Sequence, residues 1–183
     1  MPVKPNFNPD YLYFVTTGTA DHAHLFRPES FKRIILDCFH FLRNSGRIKL
    51  FCFVIMPNHI HFVAQFESTY SIADAMRDLK RHTARMIIRQ LQAENDQITL
   101  QALRTRNQDD RQEFKVWEDG YDARDIFTLA FLEQKMDYIH HNPCQPHWKL
   151  VEFPEDYPFS SAGFYLANKP CIIPIDDVRE LFA

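Results

Sequence analysis

The chain of 183 residues lacks any long uninterrupted apolar run. A membrane-spanning helix needs about 20 consecutive apolar residues, so this absence argues against a membrane protein. The first residues lack the apolar core of a signal peptide. The four cysteines show no Cys-x-x-Cys spacing, which favours reduced thiols. Together these absences predict a cytoplasmic protein without a membrane partner.

An excess of positive charge is also missing. The formal net charge is −3 at pH 7, whereas nucleic-acid-binding proteins tend to carry basic surfaces. The charge therefore argues mildly against a nucleic-acid partner, although it allows a local basic patch. With 45% hydrophobic and 25% charged residues, the composition is that of a globular protein. The length predicts one domain over residues 1–183 that can bury a sizeable core.

Hydrophobic periodicity predicts elements in the order β-α-β-β-α-β, followed by a further helix. The predicted strands cover residues 11–19, 49–55, 59–66 and 115–121, and the predicted helices cover residues 27–42, 71–92 and 123–141. We expect a loop over 95–113 and a wrapped C-terminal tail over 143–183, with short helices near 160–166 and 176–182. This order is typical of the α+β, ferredoxin-like fold, an antiparallel sheet with helices packed on one face. That fold hosts both enzymes and binding modules, so it does not decide function.

Two histidines flank one hydrophobic residue at the start of the third predicted strand. Residues i and i+2 of a strand point to the same face, so His59 and His61 should project side by side. Ile60 and Phe62 should then point into the core. Two imidazoles on one rigid strand form a natural half-site for a divalent metal ion. On spacing alone, two partly exposed histidines without a ligand are the more common outcome.

The last predicted helix carries a candidate nucleophile. Tyr138 and Asn142 lie four residues apart and therefore share a helix face. A tyrosine hydroxyl can attack a phosphodiester whose phosphate is polarised by a metal ion, and the amide oxygen of Asn142 could ligate that ion. Alternatively, Tyr138 packs beside Phe127 and Phe131, and Asn142 is an ordinary residue at the end of a helix.

The second predicted helix carries basic residues on one side. We call Arg77, Arg81, Arg85 and Arg89 the arginine stripe, with Lys80 adjacent to it. Such a stripe predicts contacts with a phosphate backbone, although a merely solvated helix face gives the same pattern. Trp117 is a candidate for stacking on unpaired bases, with packing in the core or at its rim as the alternative.

Four segments of the chain, in this order, carry a family resemblance. They are FVIMPNHIHFV at 53–63, VWEDGY at 116–121, DYIHHNP at 137–143 and YPFSS at 157–161. In these segments the chain resembles the REP-associated tyrosine transposases, within the HUH insertion-sequence transposases that act on single-stranded DNA. It departs from many members in its acidic net charge and at residues 144–148, which read CQPHW. A basic stretch with glycine is common there.

The resemblance implies a mechanism and a partner. The catalytic tyrosine would be Tyr138, and His59, His61 and Asn142 would hold Mg²⁺ or Mn²⁺. The protein would cleave and rejoin single-stranded or hairpin DNA through a 5′-phosphotyrosine intermediate, acting as a monomer or homodimer.

Two other functions are compatible with the sequence. One is a DNA-hairpin-binding protein that keeps the fold but no longer cleaves. The other is a metal-dependent hydrolase in which Tyr138 is only structural. The intact set of four site residues favours the transposase over the binding protein, and a covalent protein–DNA adduct would distinguish the transposase from the hydrolase.

Overall fold

The structure is a computed structural model that describes residues 7–105 and 113–182. Four strands form an antiparallel sheet in the order β2-β3-β1-β4. The strands are β1 (Leu12–Gly18), β2 (Ile48–Ile55), β3 (His59–Phe66) and β4 (Asp122–Ile126). The α-helices are α1 (Glu29–Asn44), α2 (Ile72–Ala93), α3 (Gln97–Leu103), α4 (Leu129–His141) and α5 (Ala162–Ala167). Short 3-10 turns occupy Ala20–His22, Asn142–Cys144, Pro154–Asp156 and Val178–Leu181.

Helices cover both faces of the sheet. On one face the ring of Phe39 in α1 packs 5.1 Å from Phe62 of β3, and α2 lies alongside α1. On the other face α4 packs against the sheet, with the ring of Tyr138 5.1 Å from His61. The helix that carries the candidate nucleophile therefore lies opposite α1 and α2, whereas the sequence predicted all helices on one face. No helix in the described ranges is long and apolar enough to cross a bilayer.

The ends of α1 and α2 follow from local chemistry. At the start of α2, Ser71 Oγ accepts from the backbone N–H of Asp74, and the Asp74 carboxylate accepts from the N–H of Ser71. Ser71 and Asp74 thus form a reciprocal capping box, which satisfies backbone N–H groups that the first turn would leave unpaired. After α1, Gly46 adopts a φ of +69°, which glycine tolerates best, and the chain turns into β2.

The fourth strand lies later in the chain than predicted. Residues 115–121 form a loop in which Trp117 makes only an isolated bridge to Thr19, and β4 begins at Asp122. The predicted helix over 123–141 therefore begins at Leu129. β4 is an edge strand in which only Ile126 is buried, so its sequence DARDI is largely charged. Because β4 contains no apolar run, the hydrophobic pattern of the sequence did not indicate a strand there.

The predicted loop over 95–113 contains a helix. Residues Gln97–Leu103 form α3, which begins where the Asp96 side chain accepts from the N–H of Thr99 and which buries Leu100 and Leu103. Only two apolar side chains, one turn apart, face the core, so the pattern was too short to detect. Residues 106–112 of the predicted loop lie outside the described residues.

The C-terminal segment is bound by hydrogen bonds along the free edge of strand β2. Asp176 accepts from the backbone N–H of Leu50 (2.9 Å) and forms a bidentate pair with Arg43 (both 2.9 Å). Ser160 forms a bridge with Val54 further along the same strand. These contacts cover the hydrogen-bonding edge of β2, which would otherwise be open to pairing.

Candidate functional site

Strand β3 carries the two histidines on the face that meets α4. Their ring centroids lie 4.6 Å apart. Ile60 and Phe62 are buried on the opposite face, as the alternation of the strand predicted. His61 is 4% exposed and His59 is half-buried, so the pair is more enclosed than two ordinary surface histidines.

The Nδ1 atom of each histidine has its own hydrogen-bond partner. Thr16 Oγ1 lies 2.7 Å from Nδ1 of His61, and Asn58 Oδ1 lies 2.6 Å from Nδ1 of His59. Since an amide oxygen only accepts, Nδ1 of His59 donates, and its Nε2 keeps a free lone pair. Nε2 of His61 is buried without a hydrogen-bond partner among the described residues. Partners of this kind fix the tautomer of metal-ligating histidines.

Asn142 supplies a third donor atom beside the histidines. It directly follows α4, is 4% exposed, and places Oδ1 3.3 Å from Nε2 of His59. With His59 donating through Nδ1, these two facing atoms are both acceptors. Two lone pairs this close are favourable only when a cation or a proton lies between them.

The donor set fits the metal that the sequence predicted. Two imidazole nitrogens and one amide oxygen suit Mn²⁺ or Mg²⁺, which accept mixed nitrogen and oxygen ligands. Within residues 7–105 and 113–182, no cluster of three His, Cys, Asp or Glu side chains could hold a metal. The candidate set therefore depends on the amide of Asn142, and Nε2 of His61, buried without a hydrogen-bond partner among the described residues, is available to such an ion.

Burial keeps both histidines in the form that binds metals. Desolvation lowers the pKa of His59 to about 4 and that of His61 to about 3. Hydrogen bonding to Asn142 opposes this effect at His59, and the positive charge of Lys135 adds to it at His61. At neutral pH both imidazoles are uncharged, so a metal ion displaces no proton from either.

Tyr138 lies beside this pair with its side chain accessible. It is 44% exposed, and its ring packs edge-on against His61 and against Phe14, with centroids 5.1 and 6.1 Å away. Phe127, which the sequence offered as a packing partner, instead contacts Tyr11. Tyr138 and Asn142 thus reach the histidines from one helix face, as their spacing predicted.

A buried polar network fixes α4 against the sheet. Nε2 of His140 lies 3.0 Å from Ser161 Oγ and 3.3 Å from Cys52 Sγ. Ser161 Oγ also accepts from the backbone N–H of Phe53 at 3.0 Å. The YPFSS segment therefore connects β2 to the helix turn that lies between Tyr138 and Asn142.

The buried His140 predicts a loss of stability in mild acid. Desolvation lowers its pKa from 6.5 to about 4, so the unfolded chain takes up the proton first as pH falls. The stabilisation is complete above about pH 6.5 and is lost progressively towards about pH 4, where the loss approaches ~3 kcal/mol. His59 and His61 act in the same direction, because their pKa values are lowered too.

Urea unfolding in EDTA, followed from about pH 7.5 to about pH 4.5, measures this loss. A His140→Gln variant should be less stable at neutral pH but should lose less of its stability on acidification. Parallel pH profiles for the two proteins would contradict the prediction.

Two side chains, those of Glu118 and Lys80, hold the VWEDGY loop beside His59. Glu118 Oε1 accepts from the backbone N–H of Gly18 at 2.7 Å. A Cβ atom added to Gly18 would lie only 3.1 Å from the same oxygen, so a larger residue fits poorly there. Lys80 donates to the carbonyl oxygens of Glu118 (2.9 Å) and Gly120. Lys80 therefore uses two of its three N–H donors to hold this loop, which leaves one for the predicted contact with DNA.

Trp117 is a core residue in the structure. It is 5% exposed, its ring packs 4.9 Å from that of Phe26, and its indole N–H donates to Thr83 Oγ1 at 3.0 Å. A base cannot stack on a ring that is covered in this way. The expectation of a stacking role at Trp117 is wrong, because the side chain joins α2 to the core.

The arginine stripe is partly neutralised within α2. Arg77 pairs with Asp74 at 2.7 Å and with Asp78 at 3.2 Å, and Arg81 lies 3.5 Å from Asp78. The other two arginines of the stripe are exposed and form no ion pair within the described part of the chain. The stripe also lies on the helix layer opposite Tyr138, so the structure does not bring it together with the candidate nucleophile.

We expect Arg85→Ala/Arg89→Ala to weaken the binding of single-stranded DNA in a salt-dependent way. Each true phosphate contact contributes about −0.7 to the slope of log K against log salt, so the slope should flatten by about 1.4. Stem-loop and scrambled strands should be affected about equally, because phosphate contacts carry no sequence information.

A salt titration of both strands measures this slope. Arg77→Ala is the matched control and should change it less, since Asp74 and Asp78 already offset the Arg77 charge. An unchanged slope in the double variant would mean that this face of α2 is only solvated.

Three contributors to the site were missed by sequence reasoning. Thr16 and Asn58 orient the histidines, and Lys135 places its ammonium group beside Tyr138. The contact of Thr16 depends on the register that pairs it with His61 across two strands. No signal in a single sequence reports that register. Asn58 could have been suspected, since it directly precedes His59.

The comparisons with known proteins give the family. Residues 11–142 match the family model described as IS200-like transposase. The match covers most of the chain and includes all four predicted residues of the metal and tyrosine site. The chain therefore belongs to the IS200-like transposase family. No curated protein matches it.

Two solved structures are similar to the chain, and the first of them supports its fold. One is a REP-associated tyrosine transposase bound to a REP hairpin, with 16% identity, a TM-score of 0.66, and coverage of 96% of this chain and 92% of that one. Another is a candidate transposase from Deinococcus radiodurans R1, with 17% identity, a TM-score of 0.45, and coverage of 76% and 95%. The first likeness confirms the predicted α+β class with an antiparallel sheet.

Proposed function

We propose that the protein cleaves and rejoins single-stranded DNA at hairpins, with Tyr138 as the nucleophile. The observation that supports this most is the convergence of four side chains on one face of the sheet. The ring of Tyr138 lies 5.1 Å from that of His61, and Asn142 Oδ1 lies 3.3 Å from Nε2 of His59. Membership of the transposase family supplies the class of reaction, and these residues supply the chemistry.

Mg²⁺ or Mn²⁺ is the cofactor we propose. His59 and His61 would hold it through Nε2 and Asn142 through Oδ1. Such an ion would polarise the scissile phosphate and fix its orientation. Thr16 and Asn58 contribute by holding the two imidazoles in the tautomer that points Nε2 at the site.

The covalent step exchanges one phosphate ester for another. The Oη–P bond to Tyr138 forms as the bond between phosphorus and the 3′ oxygen breaks. The phenolic proton passes to water, and the leaving 3′ oxygen takes up a proton. The products are a free 3′-hydroxyl and a strand joined to Tyr138 through its 5′ phosphate. Attack by another 3′-hydroxyl reverses the exchange, so strands are rejoined without an external energy source.

The proposed partner is hairpin or single-stranded DNA. The similar solved structure, a REP-associated tyrosine transposase, is bound to a REP hairpin. In this chain the 44% exposure of Tyr138 leaves room for a large substrate. Trp148 is partly exposed beside the site, with its ring 5.8 Å from that of His59, and offers a surface on which an unpaired base can stack.

A binding protein that no longer cleaves is the second candidate. Its supporting observation is the charge of the chain, which is −3 overall, with part of the arginine stripe neutralised inside α2. Weak affinity for DNA follows from both facts. However, a protein that only binds hairpins has no need for an accessible tyrosine beside two neutral buried histidines.

A trapping experiment tests the proposed function. The protein is incubated with Mn²⁺ and a pool of stem-loop strands with randomised flanks, and adducts that resist denaturation are isolated and sequenced. The polarity of the reaction is a sharp check: a label at the 3′ end should stay with the protein, whereas a label at the 5′ end should be released. Absence of any adduct, with binding retained, would favour the binding protein instead.

A further inference from the structure

Lys135 lies one turn before Tyr138 on α4, and its ammonium group is surrounded by aromatic rings. Nζ lies 4.8 Å from the ring centroid of Phe14, 5.1 Å from that of Phe131 and 5.8 Å from that of Tyr138. Residues three apart on a helix share a face, so the side chains of Lys135 and Tyr138 lie next to each other above the sheet.

Three other lysines show what a structural role looks like. Lys32 and Lys80 donate to backbone carbonyl oxygens, and Lys169 pairs with Asp156. Lys135 makes no such bond or ion pair with any described residue. Ring faces attract an ammonium ion but accept no strong hydrogen bond from it, so its N–H donors stay available.

The position of this cation matches the need of the reaction. A phosphodiester attacked by Tyr138 brings a negative charge to the space between the tyrosine and the histidines. Lys135 borders that space, since its Nζ lies 5.8 Å from the ring centroid of Tyr138, which in turn lies 5.1 Å from that of His61. The three proposed metal ligands are neutral side chains, so Lys135 would add a positive charge from the protein to that of the proposed metal ion.

We propose that Lys135 is a phosphate-binding residue of the cleavage site, donating a hydrogen bond to a non-bridging oxygen of the phosphodiester that Tyr138 attacks. The aromatic rings of Phe14 and Phe131 hold the ammonium group in position beforehand. The proposal rests on the function proposed above, and it adds a residue that directly touches the reacting group.

The first test measures the single-turnover rate of adduct formation for the wild-type protein and for Lys135 variants. The substrate is a strand on which the wild-type protein forms an adduct in the trapping experiment. Lys135→Met should slow the reaction about 10- to 100-fold, the usual effect of losing a charged hydrogen bond. The affinity for the stem-loop should change less than about threefold, because most binding contacts lie elsewhere. Lys135→Arg keeps a charged donor and should restore most of the rate.

Lys49→Met is the matched control, since it makes the same change in charge and side chain. Lys49 is exposed and pairs in register with Gln65, six residues along β3 from His59, or about 20 Å from the site. Equal rates for Lys135→Met and Lys49→Met would overturn the proposal. So would a Lys135→Arg protein as slow as Lys135→Met, because the positive charge would then be irrelevant.

The second test does not depend on cleavage. Lysines of the Tyr138→Phe protein are dimethylated with ¹³C, which keeps their charge, and the Lys135 signal is identified by its loss in Lys135→Arg. Adding hexathymidylate should shift this signal and leave that of Lys49 in place, whereas the uncharged methylphosphonate analogue should shift neither. An unmoved Lys135 signal overturns the phosphate contact. A shifted signal, combined with a wild-type protein that forms no adduct in the trapping experiment, would retain the contact and reject the proposed cleavage.

Discussion

Replacing Tyr138 with phenylalanine is expected to abolish the covalent adduct and to leave DNA binding nearly unchanged. The substitution removes one hydroxyl and keeps the ring that packs against Phe14 and His61. Because the site is 44% exposed, no buried hydrogen bond is lost. Loss of a nucleophile typically lowers a rate by at least about a thousandfold, so adduct formation should fall below detection.

Adduct formation and stem-loop affinity are measured on the same preparations. Tyr11→Phe provides the control, since Tyr11 contacts Phe127 at the start of α4 and also loses only a hydroxyl. It should cleave like the wild type. A Tyr138→Phe protein that still formed a phosphodiester-linked adduct would refute the assignment and direct the search to another nucleophile.

The sequence predicted those elements whose hydrophobic pattern was long. The helix over 71–92 matches α2 within one residue at each end, and β3 was predicted with its bounds and with the facing of its side chains. The sequence did not predict β4 at its observed position, because an edge strand needs few apolar residues. It did not predict α3, because only Leu100 and Leu103 of that helix are buried. The packing of α4 on the second face of the sheet depends on contacts between distant segments, which periodicity cannot report.

The same division holds at the site. Alternation along β3 was enough to place His59 beside His61, and helical spacing was enough to place Tyr138 and Asn142 on one face. That the histidine pair meets Tyr138 and Asn142 was expected only from the family resemblance, since helix α4 and strand β3 are far apart in the chain. The oxygen of Thr16 reaches the site across a strand pairing, and it could not be found without coordinates.

Removing either proposed histidine ligand should weaken metal binding together with activity. The site offers three protein donors, so His59→Ala or His61→Ala deletes a third of them. Each change should raise the Mn²⁺ concentration for half-saturation by more than about tenfold, given that loss of an outer hydrogen-bonding partner alone costs 10- to 100-fold. Calorimetry or the electron paramagnetic resonance of free Mn²⁺ measures this without DNA. Tight Mn²⁺ binding in either variant would count against the site.

Because His61 is buried, its replacement could act by unfolding the protein, and a gentler pair of variants separates the two effects. Thr16→Val removes the hydroxyl that holds Nδ1 of His61, whereas Thr17→Val makes the same change at the next residue, which faces the other side of the sheet. Oγ1 of Thr17 has no hydrogen-bond partner among the described residues, so this control should bind Mn²⁺ normally. Thr16→Val should bind it about 10- to 100-fold more weakly while remaining folded. Equal Mn²⁺ affinities for the two variants would show that Thr16 does not orient a metal ligand.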